Sequence, residues 1–255
     1  MIQYFDASQV ARDLVPVEVV AQLHETLRAE GHAYVFVGAA ARDLAVHAPS
    51  GSKIVRATRD VDVAVAIEAG TEHDALMRRL GEPTAAPQRV RVSGVDVDVI
   101  PYAGETTDVQ LGHSVLDVTG LAEAAREPTW VKIADDLTVP VASIEAQAVL
   151  KVLAWGDRQA TTQKDALDFG QILSASSCGL FEDQAWEDDD ALTACEGDII
   201  LMGPYRVGRE SRRLLSAVST ARVTAVLDAE PLDLLLRLGV REGDQMLQAF
   251  RRGFG

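Results

Sequence analysis

The first half of the chain alternates between helical and extended patterns of apolar residues. Apolar positions at helical spacing predict a helix over Val17–Glu30, which Gly31 ends. Short runs rich in Val and Ile predict strands, and Ser93-Gly94 between two of them is typical of a hairpin turn. The predicted strands are Tyr34–Val37, Val61–Ile67, Arg89–Val92, Val95–Ile100 and Thr129–Ile133, the further helices are Ala39–Val46 and Glu72–Leu80, and Ala48–Arg59 is a predicted loop.

The pattern becomes helical throughout after Pro140. Ser143 is a suitable N-cap for a helix that runs to about Trp155, and Glu145 lies favourably in its first turn. A second helix fits Thr162–Leu173, and apolar residues recur at helical spacing as far as Phe250. We therefore predict an α+β fold, with a mixed β-sheet and helices in residues 1–140 and a helical domain in residues 141–255.

Composition and cysteine content indicate the cellular compartment in which the protein is expected. The 255 residues are 47% hydrophobic and 25% charged, which is ordinary for a globular protein. No apolar run approaches the ~20 residues that span a bilayer, so no membrane association is expected. The first ten residues have neither a basic region nor an apolar stretch and predict no signal peptide. Cys178 and Cys195 lack metal-ligand spacing, which favours a reducing, cytoplasmic location.

The net charge of −15 argues against general DNA binding, because such proteins usually carry excess Lys and Arg. A local basic patch remains compatible with binding to RNA. Many of the acidic residues lie in the segment 182–198. A solvated surface is a better explanation of that segment than a functional acidic patch.

Two pairs of aspartates, each with one residue between its members, occur on predicted strands. Asp60 and Asp62 open one apolar strand, and Asp96 and Asp98 lie on a later one. Side chains two apart on a strand point to the same face, where like charges repel each other unless a cation compensates them. Magnesium prefers oxygen ligands and commonly binds one or two carboxylates together with substrate phosphates. Alone, however, such a pair is more often a solvated strand face.

A glycine turn precedes the first aspartate pair. Gly38 lies between the strand Tyr34–Val37 and the helix that follows, an arrangement that directs backbone N–H groups toward a phosphate. On its own, Gly38 is equally well explained by close packing. Together with the aspartates it indicates a phosphate and metal site much more specifically than either feature alone.

The combination resembles the nucleotidyltransferase superfamily of the DNA polymerase beta type. Four segments are most similar to its AbiEii/AbiGii toxin-like branch, and they are Val37–Leu44, Arg56–Asp62, Val95–Tyr102 and Val141–Asp168. The resemblance covers roughly residues 15–175. It implies a nucleotidyltransferase-type mixed sheet with helices, followed by a helical C-terminal part that completes the nucleotide cleft.

The resemblance also implies roles for individual residues. Asp60, Asp62 and Asp98 are implied as metal ligands and catalytic residues. Asp98 is preferred over Asp96 because Asp98 is the residue directly followed by Val-Ile-Pro-Tyr, which matches the motif of the toxin-like branch. Two Mg²⁺ ions are the implied cofactors, and Mn²⁺ is an alternative. The implied nucleotide-binding residues are Gly38, Ala39, Arg42, Lys151, Lys164, Asp165 and Asp168.

Some of these nucleotide-binding residues have simpler explanations. Ala39 stands where most of the superfamily has serine or glycine, so it offers no hydroxyl to a triphosphate. Lys151 lies on an apolar helix face, where it is costly to bury unless paired, and it can also extend to solvent. Lys164 and Asp168 are four residues apart and can pair, and Asp165 can stabilise the start of its helix.

The implied reaction is transfer of an NMP from an NTP to an acceptor hydroxyl on a tRNA end, a protein or a small molecule. A toxin with an antitoxin partner is one expectation within this class. The alternative is a catalytically weak module of the same fold that binds nucleotide or a partner, which Ala39 supports and the three carboxylates oppose. A metal-dependent hydrolase is a third interpretation, but the five histidines show no ligand spacing.

Overall fold

The computed structural model describes residues 2–52, 60–104, 106–229 and 240–255. The described chain divides into two units. One unit, the head, contains residues 2–48 and the described residues from 60 to 142. The other, the helical unit, contains residues 49–52 and the described residues from 143 to 255. The short segment 49–52 therefore belongs with the helical unit. The hydrophobic pattern of the sequence does not indicate this membership.

The described part of the head is built on an eight-stranded mixed sheet with the strand order β1-β9-β10-β2-β3-β6-β5-β4, numbered along the chain. Its strands are β1 Tyr4–Asp6, β2 Tyr34–Val37, β3 Val61–Ala66, β4 Glu82–Pro83, β5 Arg89–Val92, β6 Val95–Tyr102, β9 Thr129–Ala134 and β10 Leu137–Val141. Three neighbouring pairs, β1–β9, β10–β2 and β3–β6, are parallel, and the others are antiparallel. A separate hairpin consists of β7 Asp108–Leu111 and β8 Ser114–Asp117.

One face of the main sheet packs into the hydrophobic core of the head. Alternate strand residues such as Val63, Val97 and Val139 are fully buried there. Leu23 and Leu27, four residues apart on one helix, are buried in the same core. The helices before Pro140 are α1 Ala11–Leu14, α2 Val17–Ala29, α3 Gly38–Arg42, α4 Ala48–Ser50, α5 Thr71–Leu80 and α6 Leu121–Arg126.

The predicted loop that starts at Ala48 is wrong at its beginning. Helical backbone continues from α3 through a π-helical turn, Asp43–His47, into α4. Pro49 and Ser50 of α4 are buried, as is the π-helical turn before them. The remainder of the predicted loop, residues 53–59, lies outside the described residues.

The first helix after Pro140 begins where the sequence predicts it. Ser143 is the N-cap of this helix, where its hydroxyl accepts a hydrogen bond from the Ala146 N–H at 3.3 Å. The helices of the helical unit are α7 Ile144–Arg158, α8 Lys164–Ala175, α9 Leu180–Trp186, α10 Asp189–Ala194, α11 Ile199–Leu214, α12 Ala217–Ala229 and α13 Gly243–Phe254. The α+β fold class is confirmed, with a mixed sheet and helices followed by a helical part.

Two glycines allow α11 and α13 to pack with their backbones in contact. A Cβ on Gly208 of α11 would collide with the carbonyl oxygen of Phe250, and a Cβ on Gly253 of α13 would collide with that of Tyr205. Phe250 lies at this crossing and packs edge-on against Phe169 of α8, with 5.2 Å between the ring centroids. The contact therefore joins three helices of the unit.

No helix in the described ranges is both long enough and apolar enough to cross a membrane.

Candidate active site

Asp62 and Asp98 lie on the face of the sheet opposite the main core. Val61, Val63 and Val65 of β3 are buried in that core, so the alternating side chain of Asp62 points to the other face. Asp62 is paired in register with Asp98 of the parallel strand β6. Because paired residues of neighbouring strands share a face, the two half-buried carboxylates lie side by side.

The Gly38 turn lies directly against Asp62. Strand β2 ends at Val37, which pairs with Asp62 in the antiparallel register, and α3 begins at the next residue. Gly38 has φ of +71°, a conformation that side-chain-bearing residues rarely adopt. A Cβ at this position would collide with Oδ2 of Asp62. Glycine is therefore required here both by the backbone conformation and by the closeness of the carboxylate.

Asp98 is held by an arginine that the sequence interpretation did not select. Arg89 of β5 donates from Nε to Oδ1 of Asp98 at 2.7 Å and from Nη2 to Oδ2 at 2.8 Å. The hydrogen bond to Asp98 raises the pKa of Arg89, and the charges of Asp96 and Asp60 add to that rise. The hairpin contained the signal for this pair, because the Ser93-Gly94 turn pairs Val92 with Val95 and hence Arg89 with Asp98.

Of the three predicted metal ligands, two lie side by side and the third lies apart from the sheet pairing. Asp62 and Asp98 are paired in register, whereas Asp60 is exposed and lies just before β3. Among the described residues, no three His, Cys, Asp or Glu side chains form a group ready to hold a metal ion. In the arrangement observed Asp98 faces Arg89, and metal binding by the three aspartates stays a prediction.

Two further predicted residues follow Gly38 on α3. Ala39 is half-buried, and Arg42 is buried with its Nε 3.8 Å from Oδ1 of Asp43. Asp43 is itself fully buried and lies 4.0 Å from Nε2 of His47. Arg42 is thus part of a buried polar cluster at the π-helical turn, and its contact with a nucleotide stays a prediction.

The predicted residues of the helical unit form an ion-pair cluster between α7 and α8. Lys151 Nζ lies 3.2 Å from Asp165 and 2.7 Å from Asp168. Asp165 also pairs with Arg158 at 2.8 Å. Lys151 is 12% exposed, so its burial is compensated by these two carboxylates. Asp168 therefore pairs with Lys151, whereas Lys164, the partner considered in the sequence, is exposed.

The arrangement of glycine turn and paired aspartates is the one on which the nucleotidyltransferase prediction rests. A family model described as "Nucleotidyl transferase AbiEii toxin, Type IV TA system" matches residues 23–246. The chain therefore belongs to this family of nucleotidyltransferase toxins. The predicted family and enzyme class are confirmed.

The solved structures that the chain matches are only distantly similar to it. One is the solution structure of the antibiotic-resistance factor ANT(2'')-Ia, with 14% identity, 71% of this chain and 94% of that chain covered, and a TM-score of 0.41. Another is an antigenic nucleotidyltransferase-like protein from Paracoccidioides brasiliensis, with 17% identity, coverage of 72% and 94%, and a TM-score of 0.41. No curated protein matches the chain. The family assignment therefore rests on the family model.

Proposed function

We propose that the protein transfers an NMP from an NTP to an acceptor hydroxyl in a Mg²⁺-dependent reaction, as the toxin partner of an antitoxin. The observation that supports this most directly is the pairing of Asp62 with Asp98 beside the Gly38 turn. Two neighbouring carboxylates disfavour each other's ionised form unless a positive charge compensates them. The family description, which names a type IV toxin–antitoxin system, supports the toxin role.

The neighbouring carboxylates of Asp62 and Asp98 supply the kind of ligand atom that magnesium binds. Carboxylate oxygens are its preferred protein ligands, and the missing Cβ of Gly38 leaves room for the carboxylate of Asp62. We propose that Asp60, Asp62 and Asp98 hold the metal. Bound there, Mg²⁺ would neutralise phosphate charge and make the acceptor hydroxyl more acidic.

The chain's own groups have separate tasks in the proposed reaction. The backbone N–H groups of the Gly38 turn donate to phosphate oxygens. Asp98 accepts the proton of the acceptor hydroxyl as that oxygen bonds to the α-phosphorus and the bond to pyrophosphate breaks. Ala39, Arg42, Lys151, Lys164, Asp165 and Asp168 stay predicted nucleotide-binding residues.

The acceptor is best sought by following the label of the nucleotide. The protein is incubated with Mg²⁺, a cell extract and each of the four NTPs, labelled on the α-phosphate in one set and on the γ-phosphate in another. We expect one macromolecule or small molecule to become labelled from a single α-labelled NTP and from no γ-labelled one. The γ-phosphate leaves with pyrophosphate, so this difference separates nucleotide transfer from phosphate transfer.

Two isosteric variants provide the matched comparison. Asp62→Asn removes the charge of a proposed metal ligand. Asp96→Asn removes a charge from the same sheet face at a residue that accepts hydrogen bonds from Arg91 and lies 3.8 Å from Arg89. We expect Asp62→Asn to abolish labelling and Asp96→Asn to retain it. Full labelling by Asp62→Asn would refute the proposed mechanism. Mg²⁺-dependent NTP binding without labelling of any acceptor would instead favour a nucleotide-binding module.

A further inference from the structure

Arg89 occupies both oxygens of Asp98. The two hydrogen bonds of 2.7 and 2.8 Å come from two nitrogens of one guanidinium, which is the strong fork geometry of an arginine–carboxylate pair. Arg89 also lies 3.8 Å from Asp96. A cation that approaches Asp98 therefore meets a fixed positive charge and a carboxylate whose oxygens already accept hydrogen bonds.

The same arginine supplies the charge compensation that this face requires. Asp98 lies beside Asp62 in the register, and Asp96 of the same strand lies 3.8 Å from the guanidinium of Arg89. Like charges at this spacing destabilise the folded chain unless a cation is present. The guanidinium of Arg89, which donates to both oxygens of Asp98, supplies that positive charge.

We propose that Arg89 is a positioning residue that holds Asp98 when no metal is bound and must release it before the divalent cation binds. This inference rests on the proposed function. The pair is at the surface, since the side chain of Arg89 is 35% exposed and that of Asp98 17%. A partly exposed pair is weak enough to be broken, because water solvates the released guanidinium.

The affinity of the protein for a divalent metal, measured without nucleotide, tests directly whether Arg89 must release Asp98 before the metal binds. Arg89→Met removes the guanidinium and keeps an apolar stem of similar length. Binding of Mn²⁺ is followed by electron paramagnetic resonance, which reports free Mn²⁺ and requires no turnover. We expect Arg89→Met to bind Mn²⁺ about five- to tenfold more tightly than the wild type, because no ion pair has to be broken.

Arg91→Met is the matched control. Arg91 lies two residues further along β5 and pairs with Asp96 at 2.9 Å, so its loss removes the same charge from the same two strands. We expect its Mn²⁺ affinity to stay within about twofold of the wild type. Equal gains in both variants would show a general effect of charge and would overturn the assignment to Arg89.

Two further outcomes separate this inference from the proposed function. If the wild type binds Mn²⁺ and Arg89→Met binds it no more tightly, the role of Arg89 is refuted and the proposed function stands. If neither protein binds Mn²⁺, the proposed metal dependence fails and the inference fails with it. Should Arg89→Met not fold by circular dichroism, Arg89→Lys replaces it, and a gain in affinity is again the expected result because lysine cannot form the two-point pair.

Discussion

At the scale of single residues, the contact between Gly38 and Asp62 leaves no room for a side chain at position 38. The backbone of Gly38 has positive φ, and the side chain of Asp62 fills the space in which a Cβ would lie. Any substitution at Gly38 must therefore move the carboxylate or the turn. The identity of one residue thus determines the position of another that is distant in sequence.

Gly38→Ala should abolish nucleotide transfer by displacing Asp62. We expect a loss of about a hundredfold in kcat/KM, since a shift of about 1 Å at a reacting group has effects of that size. Stability should fall by roughly 1–2 kcal/mol from the left-handed backbone alone. Gly94→Ala separates the two effects, because Gly94 also has positive φ but a Cβ there meets open space. If both variants lose activity equally, the contact with Asp62 is not the cause.

Residue contacts differ in how far the sequence predicts them. The pair of Arg89 with Asp98 follows from counting outward from the hairpin turn, because register is a local property of a two-residue turn. The pairing of Lys151 with Asp165 and Asp168 depends on how α7 packs against α8. The sequence showed only that Lys151 needed partners if it was buried, and the structure supplies them.

At the scale of elements, the crossing of α11 and α13 depends on the absence of side chains. Gly208→Ala would place a Cβ against the carbonyl oxygen of Phe250, a backbone atom that cannot move aside as a flexible side chain can. Alanine also gains about 1 kcal/mol of helix propensity over glycine. We expect the steric effect to exceed that gain, with a net loss of about 1–2 kcal/mol in the free energy of unfolding.

Urea denaturation of the full chain measures this loss. Arg212→Ala is the control on the same helix, because Arg212 is exposed and its replacement should change stability by less than about 0.5 kcal/mol. A Gly208→Ala protein as stable as the wild type would show that α11 and α13 can move apart with little loss of free energy of unfolding.

Element prediction succeeded where the hydrophobic period is regular. Strand β2 and the hairpin at Ser93-Gly94 are observed where the pattern places them, since each is a local apolar run bounded by turn residues. Strand β1 was missed because it has only three residues and its pairing partner, β9, is more than a hundred residues away. The π-helical turn was missed because hydrophobic spacing does not distinguish it from an α-helical turn.

At the scale of the whole molecule, the acidic composition is partly structural. The sequence predicts a solvated surface for the segment 182–198, and this is wrong for Asp188, whose side chain is 12% exposed and pairs with Arg206 and Arg209. Burial alone would raise the pKa of Asp188, but hydrogen bonds from Arg209, the Ala191 N–H and Arg206 outweigh it and lower the pKa. Asp188 thus joins α10, whose N-cap it is, to α11. Its contribution to stability is present above its ordinary pKa of 3.8 and is lost as the pH falls through the lowered value.

A second carboxylate of the helical unit affects stability in the opposite direction. Glu145 is the second residue of α7 and is 4% exposed. Burial raises the pKa of Glu145, and hydrogen bonds from its own backbone N–H and from Ser143, with the charge of Arg206, offset this only in part. The folded protein therefore favours protonated Glu145, and ionisation of this carboxyl opposes folding.

The pH dependence of unfolding follows from the sign of that shift. The contribution of Glu145 is fully present below its ordinary pKa of 4.5 and is lost as the pH rises through the raised value. Glu145→Gln should therefore gain stability relative to the wild type as the pH rises from 4.5 to 8, measured by urea denaturation at each pH. Glu18→Gln is the control, because Glu18 is the exposed second residue of α2 and should show little such trend. A constant difference between Glu145→Gln and the wild type over this range would mean that Glu145 ionises normally in the folded protein.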